Sequence, residues 1–169
     1  VWSTTAFVSI KERVDPWAWK VPSAKLTTTA LIQNLVSSMA RRKKDAVLIL
    51  STGGSTDQQV HTAMQAASQH PDIILCHCNS AYPCAVADLN LRCIETLRQN
   101  FDAHIGYSGH EVGLATTMAA VVLGAQYVER HITIDRSAWG TDQASSVEPH
   151  GLKRLVDDIR SIESALGDG

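Results

Sequence analysis

Strand-like and helix-like segments alternate along this chain, and that alternation constrains the fold more than any other feature. Short apolar runs of strand length predict six strands, at residues 1–7, 17–21, 46–50, 73–78, 104–107 and 127–134. Helical periodicity between them predicts helices at residues 29–40, 56–69, 88–100 and 112–123. The remaining crossover, residues 8–16, is short and only weakly helical. Because a parallel strand pair needs a crossover of a dozen or more residues, the alternation predicts an α/β protein built from parallel β/α units.

The segment after residue 148 is the clearest of the predicted helices. Its apolar residues recur at three- and four-residue steps: Leu152, Leu155, Val156, Ile159, Ile162 and Leu166. Pro149 stands where a first helical turn tolerates proline, because the amides there need no partner within the helix. The pattern predicts an amphipathic helix that buries one face.

Composition limits the classes of function. The 169 residues are 44% apolar with a formal net charge of −2, which is ordinary for a globular domain with a core. Basic residues are scattered except at 41–44, a run that we interpret as a solvated helix end. The charge pattern gives no footprint for nucleic acid or a membrane surface. No apolar run approaches the roughly 18 residues of a membrane span, and no secretion signal opens the sequence, so we expect a cytoplasmic protein.

Four cysteines lie close together in the sequence, at Cys76, Cys78, Cys84 and Cys93. In a cytosolic fold we expect them to be reduced thiols. A zinc site is the alternative, but no second C-x-x-C or H-x-x-x-H pair completes a set of four ligands. Small buried residues are the favoured interpretation.

Two architectures satisfy the alternation, an open doubly wound sheet and a closed barrel of eight β/α units. The ends of five predicted strands carry polar groups: Lys20 and Ser23; Ser51, Thr52, Gly53 and Gly54; Asn79, Ser80 and Tyr82; Ser108 and His110; Glu129, His131 and Asp135. In an open sheet ligand chemistry gathers at one switch point, whereas a barrel brings groups from many strand ends to one mouth. The pattern favours the barrel.

The last predicted strand carries three consecutive ionisable side chains, Glu129, Arg130 and His131, between apolar flanks. Burying such groups costs several kcal/mol each unless they find partners. Since strand side chains alternate faces, Glu129 and His131 share one face, while Arg130, Ile132 and Ile134 share the other, which would pack on helices. We expect Glu129 and His131 to face an active-site mouth and Arg130 to reach a loop or a helix terminus. The alternative is that all three are satisfied polar groups of the core.

Several long segments resemble the sialic acid synthase family. They are GYSGHEVGLATTMAAVVLGAQYVERHITID, WGTDQASSVEP, DDIRSIESALGDG, WKVPSAKLT, LILSTGGST and HCNSAYPCAVADLNLR, and they cover essentially the whole chain in the family's order. The resemblance implies a partial (β/α)8 TIM barrel over residues 1–169, from about strand three to strand eight. It also implies that the first two β/α units and a C-terminal antifreeze-like domain are missing from this chain. In the family that domain lends an arginine to the partner subunit's site, so a homodimer is expected at full length.

The resemblance implies a metal-dependent condensation of phosphoenolpyruvate with an N-acylated amino sugar. N-acetylmannosamine or its 6-phosphate is the typical sugar, and the products are a nonulosonic acid and phosphate. A divalent ion, Mn or Mg, polarises the sugar aldehyde for attack by the methylene carbon of phosphoenolpyruvate. His110 and His131 match the family's metal-binding histidines, and together with Glu129 they are the catalytic candidates. Two neutral imidazoles with open positions for water and substrate suit such an ion.

Six positions match phosphoenolpyruvate-binding residues of the family: Lys20, Ser23, Ser51, Gly53, Ser80 and Ser108. Lys20 stands in a strand that is otherwise predicted to be buried, where a solvated lysine is unexpected. Gly53 would let backbone amides approach an anion before a helix that begins near Asp57. The alternative interpretation of STGGST is an ordinary strand-to-helix turn with Ser55 as the cap.

On the sugar side, the resemblance implies that Tyr82, Glu129 and Asp142 contact the acylated sugar, since they match family positions that do so. Their chemistry suits that role, because carboxylates accept hydrogen bonds from hydroxyl groups and tyrosine can donate one. Three positions depart from the family pattern. Gly54 stands where STGM has methionine, and Gln143 stands where many relatives have histidine, so either change would retune the substrate. Gly109 replaces the aspartate of GYSDH, although GYSGH occurs in a recognised branch of the family.

Two other functions stay open. Six strands cannot close an eight-stranded barrel, and open edges favour pairing with another chain, so a non-catalytic remnant or interaction piece is one alternative. An upstream segment encoding the family's missing lysine and glutamate would exclude it. A related aldol synthase, acting on phosphoenolpyruvate and a phosphorylated pentose or tetrose, is the other alternative. The segments ERHITID and WGTDQASSVEP argue against it, and an assay of sugar acceptors would decide.

Overall fold

The structure is a computed structural model that describes residues 1–11, 13–14, 16–42 and 46–167. Its elements in chain order are α1 (Thr4–Ile10), β1 (Ala18–Val21), α2 (Thr29–Arg42), β2 (Val47–Ser51), α3 (Asp57–Ala67), β3 (Ile73–Cys78), α4 (Cys93–Asn100), β4 (His104–Gly109), α5 (Ala115–Val122), β5 (Tyr127–Arg130) and α6 (Pro149–Leu166). The predicted alternation of strands and helices is therefore confirmed. None of the helices in the described part of the chain combines the length and the apolar character that crossing a bilayer requires.

The chain divides into two compact units. The first comprises Val1–Cys76 and Asp102–His104, and the second comprises His77–Phe101 and Ile105–Gly169. In the first unit β1, β2 and β3 pair in parallel, with Lys20 opposite Ile49 and Ser51 opposite Cys76. In the second unit β4 and β5 pair in parallel. Parallel pairing follows from the crossover helices. Each helix returns the chain to the end of the sheet at which the preceding strand began, so the next strand runs in the same direction.

The core of the first unit is built from its strands and from one face of each helix. Three consecutive residues of β2, Leu48, Ile49 and Leu50, are at most 3% exposed. A parallel strand covered on both faces requires such a continuous apolar run, and burying each of these side chains contributes about 1.5–3 kcal/mol. Phe7 and Trp19 meet edge to face with ring centroids 5.0 Å apart, which packs α1 on β1.

The strand predicted at residues 1–7 is wrong. The helix α1 begins at Thr4, and the Ser3 hydroxyl caps it by accepting a hydrogen bond from the Ala6 N–H at 3.1 Å. The helix also extends to Ile10, into the segment predicted to be only weakly helical. The apolar run suggested a strand, but a serine that satisfies a free amide of the first turn favours a helix there.

A capping box starts α3. The Thr56 hydroxyl accepts from the Gln59 N–H at 3.3 Å, and the Gln59 side-chain oxygen accepts from the Thr56 N–H at 2.8 Å. The cap is therefore Thr56, and the alternative interpretation, in which Ser55 is the cap, is wrong on that residue. The helix begins at Asp57, as predicted from the sequence.

The substitution Thr56→Ala is expected to lower the free energy of unfolding by about 1 kcal/mol, because it removes the hydroxyl that accepts from the Gln59 N–H in the first turn of α3. Urea denaturation of the full-length protein measures the loss. Ser55→Ala is the matched control, for which we expect a change within about 0.5 kcal/mol. Equal losses in the two variants would contradict the assignment of the cap.

Two helices of the second unit begin later than predicted. Residues 88–100 were predicted as one helix, but α4 begins at Cys93, because Asn90 has a φ of 44° that a right-handed helix does not contain. Gly113, with a φ of 99°, has the same effect before α5, which begins at Ala115 and not at residue 112. Both residues are turn formers whose conformation is invisible to hydrophobic periodicity.

The strand β5 ends at Arg130, four residues earlier than predicted. Beyond it the backbone turns to a single bridge with Val147, whose N–H donates to the His131 carbonyl at 2.7 Å. Ile132 and Ile134 are 68% and 91% exposed, so the prediction that they pack on helices is wrong. The predicted helix at Pro149 is confirmed as α6, but Leu155 is the only residue of its apolar stripe that is classed as buried.

The basic run falls at the end of α2. Arg41 is exposed in the last turn, as predicted for a solvated helix end, whereas Lys43 and Lys44 lie outside the described residues. Three of the cysteines, Cys76, Cys78 and Cys84, are buried thiols outside any disulfide, and Cys93 is a partly buried one. Burial agrees with their interpretation as small core residues.

Candidate active site

The two histidines predicted to bind a metal lie side by side in the second unit. The register of the parallel pair places Gly109 at the end of β4 opposite Arg130 at the end of β5. The next residues in the chain are His110 and His131, so neighbouring strand ends deliver both imidazoles together. Their ring centroids are 5.2 Å apart, with an interplanar angle of 77°.

The His110 ring is held in one tautomer. Its Nδ1 lies 2.5 Å from the backbone carbonyl oxygen of Asn79, which can only accept, so Nδ1 carries the proton. Its Nε2 then presents a lone pair, to which the Tyr82 hydroxyl donates at 3.1 Å. The backbone carbonyl of His110 also accepts from the Cys84 N–H at 3.0 Å. A histidine fixed through Nδ1 with Nε2 as acceptor is the arrangement that metal-binding histidines use.

His131 is more open. Its Nδ1 lies 3.5 Å from an Asp142 carboxylate oxygen, and the two side chains are 31% and 50% exposed. The Tyr82 ring packs against both histidines, at centroid distances of 4.1 Å from His110 and 5.4 Å from His131. The structure thus brings together the two predicted metal ligands and two of the residues predicted to contact the sugar.

Tyr82 stays a hydrogen-bond donor at neutral pH. Burial raises the pKa of its phenol, and electrostatic interactions with Cys78 and with the carboxyl groups of Asp142 and Glu129 raise it further. The hydroxyl group is therefore protonated under ordinary conditions and able to donate to a lone pair or to a substrate oxygen.

Glu129 and Ser108 face each other across the second unit's strand pair. They are opposite in the register of β4 and β5, and the Ser108 hydroxyl donates to the Glu129 carboxylate at 2.9 Å. The Tyr127 hydroxyl lies 3.5 Å from the other carboxylate oxygen. Ser108 is buried, whereas Glu129 is half-buried. A predicted catalytic group and a predicted phosphoenolpyruvate contact thus lie in direct contact.

The donor set fits a metal with open coordination positions. Within the described residues, no group of three or more histidine, cysteine, aspartate or glutamate side chains is arranged to hold an ion. His110 and His131, whose imidazoles meet at these strand ends, are the residues predicted to hold an ion, and that role stays a prediction. Water and substrate oxygens would complete the coordination of an ion such as Mn²⁺ or Mg²⁺.

Four residues predicted to bind phosphoenolpyruvate belong to the first unit: Lys20, Ser23, Ser51 and Gly53. The Gly53 N–H donates to the Ser23 hydroxyl at 3.1 Å, which joins the loops after β1 and β2. The Ser51 hydroxyl at the end of β2 is buried and has no hydrogen-bond partner among the described residues. Lys20 is half-buried between Trp19 and Val21, which are at most 8% exposed.

The last predicted phosphoenolpyruvate contact, Ser80, is exposed in the loop after β3. Its neighbour Asn79 ties that loop together, since the Asn79 side chain accepts from the Ala81 N–H and donates to the Asp88 carbonyl. The same residue holds His110 through its backbone. The binding role of Ser80 stays a prediction.

The expectation for Arg130 is confirmed, but its acidic partner was missed. The guanidinium reaches backbone carbonyls in two loops, at Glu111 and Gly113 after β4 and at Ser145 after β5. It also forms an ion pair of 3.1 Å with the Glu111 side chain, which is completely buried. The alternative of satisfied core polar groups therefore describes Arg130 only in part, because its terminal nitrogens have partners but its buried Nε has none among the described residues. Glu129 and His131 are only half-buried. A glutamate next to the first histidine of GYSGHE was the signal that could have revealed the pair.

Glu111 is ionised in this setting. Burial alone raises the pKa of its carboxyl group, but hydrogen bonding from Thr116 and the charge of Arg130 more than offset that effect. The net result is a pKa below the usual value for glutamate.

Parallel β/α units whose strand ends carry paired histidines, a tyrosine and carboxylates are the arrangement of a (β/α)8 barrel domain, which gathers its polar groups at the carboxyl ends of the strands. The sequence model described as "NeuB family" matches residues 1–169. The chain belongs to the NeuB family.

Two individual relatives support the family assignment. Pseudaminic acid synthase of Campylobacter jejuni is 35% identical over 164 residues, which are 96% of this chain and 46% of that protein. N-acetylneuraminate-9-phosphate synthase of Homo sapiens is 41% identical over 127 residues, which are 74% of this chain and 35% of that protein. The chain thus spans about half the length of the Campylobacter relative, or less in the human case.

A crystal structure confirms the predicted fold class. N-acetylneuraminic acid synthetase from Leptospira borgpetersenii, solved in complex with citrate, matches with a TM-score of 0.89 at 31% identity. The match covers 99% of this chain and 56% of that chain. The chain is therefore part of a (β/α)8 barrel, with five strands among its described residues.

Proposed function

We propose that the full-length protein carrying this chain is a nonulosonic acid synthase. It condenses phosphoenolpyruvate with an N-acylated amino sugar, such as N-acetylmannosamine or its 6-phosphate, and releases phosphate. The observation that carries the proposal is the pair of imidazoles at neighbouring strand ends, His110 and His131, with Tyr82 and Asp142 beside them. Membership of the NeuB family supplies the chemical class.

A divalent ion held by His110 and His131 would supply Lewis-acid polarisation of the sugar aldehyde. The methylene carbon of phosphoenolpyruvate bonds to the aldehyde carbon, and the aldehyde oxygen takes up a proton. Water adds to the adjacent electron-poor carbon of phosphoenolpyruvate and loses a proton. The carbon–oxygen bond to phosphate then breaks while the new hydroxyl group gives its proton to the leaving phosphate, which yields a keto acid and inorganic phosphate.

The residues around the histidine pair would orient the sugar. Glu129 is anchored by Ser108, so its carboxylate is held in a fixed position for accepting hydrogen bonds from sugar hydroxyl groups. Asp142 offers a second carboxylate next to His131. Tyr82, whose pKa is raised, would donate a hydrogen bond to a sugar oxygen.

The polar residues of the first unit would hold phosphoenolpyruvate. Leaving the buried Ser51 hydroxyl without a partner costs about 1–3 kcal/mol, which a bound phosphate or carboxylate oxygen would offset. The Ser23–Gly53 contact keeps the two neighbouring loops together. Lys20 would supply the positive charge that holds the phosphate group. Its neighbours in β1, Trp19 and Val21, are buried, so the backbone from which its side chain extends is held in place.

An acceptor assay tests the proposal. The full-length protein is incubated with phosphoenolpyruvate, Mn²⁺ and one sugar at a time, and phosphate release and keto-acid formation are measured. We expect turnover with an N-acylated amino sugar, loss on chelation, and recovery with Mn²⁺. Turnover only with a phosphorylated pentose or tetrose would place the protein with the other aldol synthases. No turnover with any acceptor would favour the non-catalytic alternative.

A further inference from the structure

A buried ion pair adjoins the two histidines of the second unit. Glu111 follows His110 in the chain, and Arg130 precedes His131. Their side chains are 0% and 2% exposed, and they meet at 3.1 Å. Breaking a buried pair leaves an uncompensated charge, so its geometry resists distortion.

The Arg130 guanidinium of this pair also binds backbone carbonyl groups after β4 and after β5. Arg130 Nη2 donates to the backbone carbonyl of Glu111 at 2.7 Å, one residue after His110. The same nitrogen reaches the Ser145 carbonyl at 3.3 Å in the loop after β5, and Nη1 reaches the Gly113 carbonyl at 2.9 Å. A single guanidinium therefore joins the segments that follow β4 and β5.

Glu111 is fixed from its own side. One carboxylate oxygen accepts from the Thr116 and Thr117 hydroxyls, at 2.7 and 3.1 Å, and the other accepts from the Tyr107 hydroxyl at 2.9 Å. Thr116 and Thr117 belong to α5, and Tyr107 belongs to β4. The Glu111 carboxylate thus links β4 to α5 directly, and it links both of them to β5 through Arg130.

The pair also explains the glycine in GYSGH. A Cβ atom at Gly109 would lie 2.7 Å from a Glu111 carboxylate oxygen, 2.8 Å from the Tyr107 ring and 3.1 Å from the Arg130 side chain. Distances below 3.0 Å are closer than van der Waals contact permits. The aspartate of GYSDH would therefore collide with this arrangement, whereas glycine leaves room for it.

We propose that Glu111 and Arg130 are positioning residues that set the spacing of His110 and His131 for binding a divalent metal ion. Each is bonded in the chain to one histidine, so a shift of either member moves an imidazole. The inference rests on the proposed function, because it takes the two histidines as the metal ligands. What the inference adds is the ion pair that aligns the two histidines.

Mn²⁺ affinity of the full-length protein, measured by electron paramagnetic resonance, tests the inference. Glu111→Asp keeps the charge but shortens the side chain by one methylene group, so it cannot maintain contact with Arg130, Thr116 and Tyr107 at once. We expect a 10- to 100-fold loss of Mn²⁺ affinity, the usual effect of removing a group that orients a metal ligand. Glu95→Asp is the matched control, because Glu95 lies on α4 and forms an exposed ion pair with Arg92. The Mn²⁺ affinity of this variant should stay unchanged.

Two further variants separate positioning from stability. The double variant Glu111→Gln, Arg130→Met removes both charges without leaving one of them buried alone, so the fold should persist. Gly109→Ala keeps both charges but crowds them. Mn²⁺ affinity should fall at least about tenfold in the double variant and measurably in Gly109→Ala. Thermal unfolding identifies the variants that are folded at the assay temperature.

The outcomes are distinct. Unchanged Mn²⁺ affinity in folded Glu111→Asp and in the double variant, with affinity reduced in His131→Ala, would overturn the positioning role and leave the proposed function intact. Unchanged affinity in His131→Ala would overturn both. A loss in all of these variants, but not in Glu95→Asp, supports both.

Discussion

Replacing His131 by alanine in the full-length protein is expected to abolish metal-dependent turnover. Lewis-acid activation of a carbonyl contributes several kcal/mol to transition-state stabilisation, so losing half of the protein ligands should lower kcat by roughly a thousandfold or more. His110→Ala should have the same effect, because the two ring centroids lie 5.2 Å apart and we propose that both imidazoles bind the same ion. Initial rates of phosphate release at saturating phosphoenolpyruvate, sugar and Mn²⁺ measure the loss.

His150 supplies the matched control. Its side chain is 85% exposed, and it lies in the first turn of α6. His150→Ala should retain full activity. A loss of activity in this variant would show that the protein is sensitive to replacing any histidine. Unchanged activity in His131→Ala, with sensitivity to a chelator intact, would exclude His131 as a ligand.

The second large effect is expected from Lys20→Ala, on phosphoenolpyruvate alone. A hydrogen bond assisted by charge is worth about 1.5–3 kcal/mol, which corresponds to an increase of about 10- to 100-fold in the KM for phosphoenolpyruvate. The KM for the sugar should change by less than about threefold, because the proposed sugar contacts are other residues. Steady-state kinetics with each substrate varied in turn measure both constants.

Lys153→Ala is the control for Lys20. Lys153 is 77% exposed on α6, where it pairs with Asp157, so removing it should leave both KM values unchanged. Equal increases of both constants in Lys20→Ala would count against a contact between this lysine and phosphoenolpyruvate.

Much of the fold was predictable because its signals are local. A strand buried on both faces needs an apolar run, and β2 carries one at Leu48, Ile49 and Leu50. Proline in a first turn, followed by apolar residues at helical spacing, marked α6 from Pro149 onwards. Periodicity did not locate the helix boundaries, because backbone conformations such as the positive φ of Asn90 and Gly113 set them.

The candidate site was predictable in part, for a different reason. Its residues follow directly after strands, so parallel pairing brings His110 and His131 together once the register is known. The resemblance to a family supplied their chemistry. Glu111 was missed because its only sequence signal is one charged residue in a loop, and its partner Arg130 lies 19 positions away. Pairing across that separation depends on tertiary structure, which neither composition nor periodicity contains.

Pulsed electron paramagnetic resonance of Mn²⁺ bound to the full-length protein tests the metal assignment most directly, because it counts the histidine nitrogens bonded to the ion. We expect two such nitrogens in the unmodified protein and one in His131→Ala. Mn²⁺ bound without any histidine nitrogen, or two nitrogens retained in His131→Ala, would contradict the two-histidine centre on which the account depends.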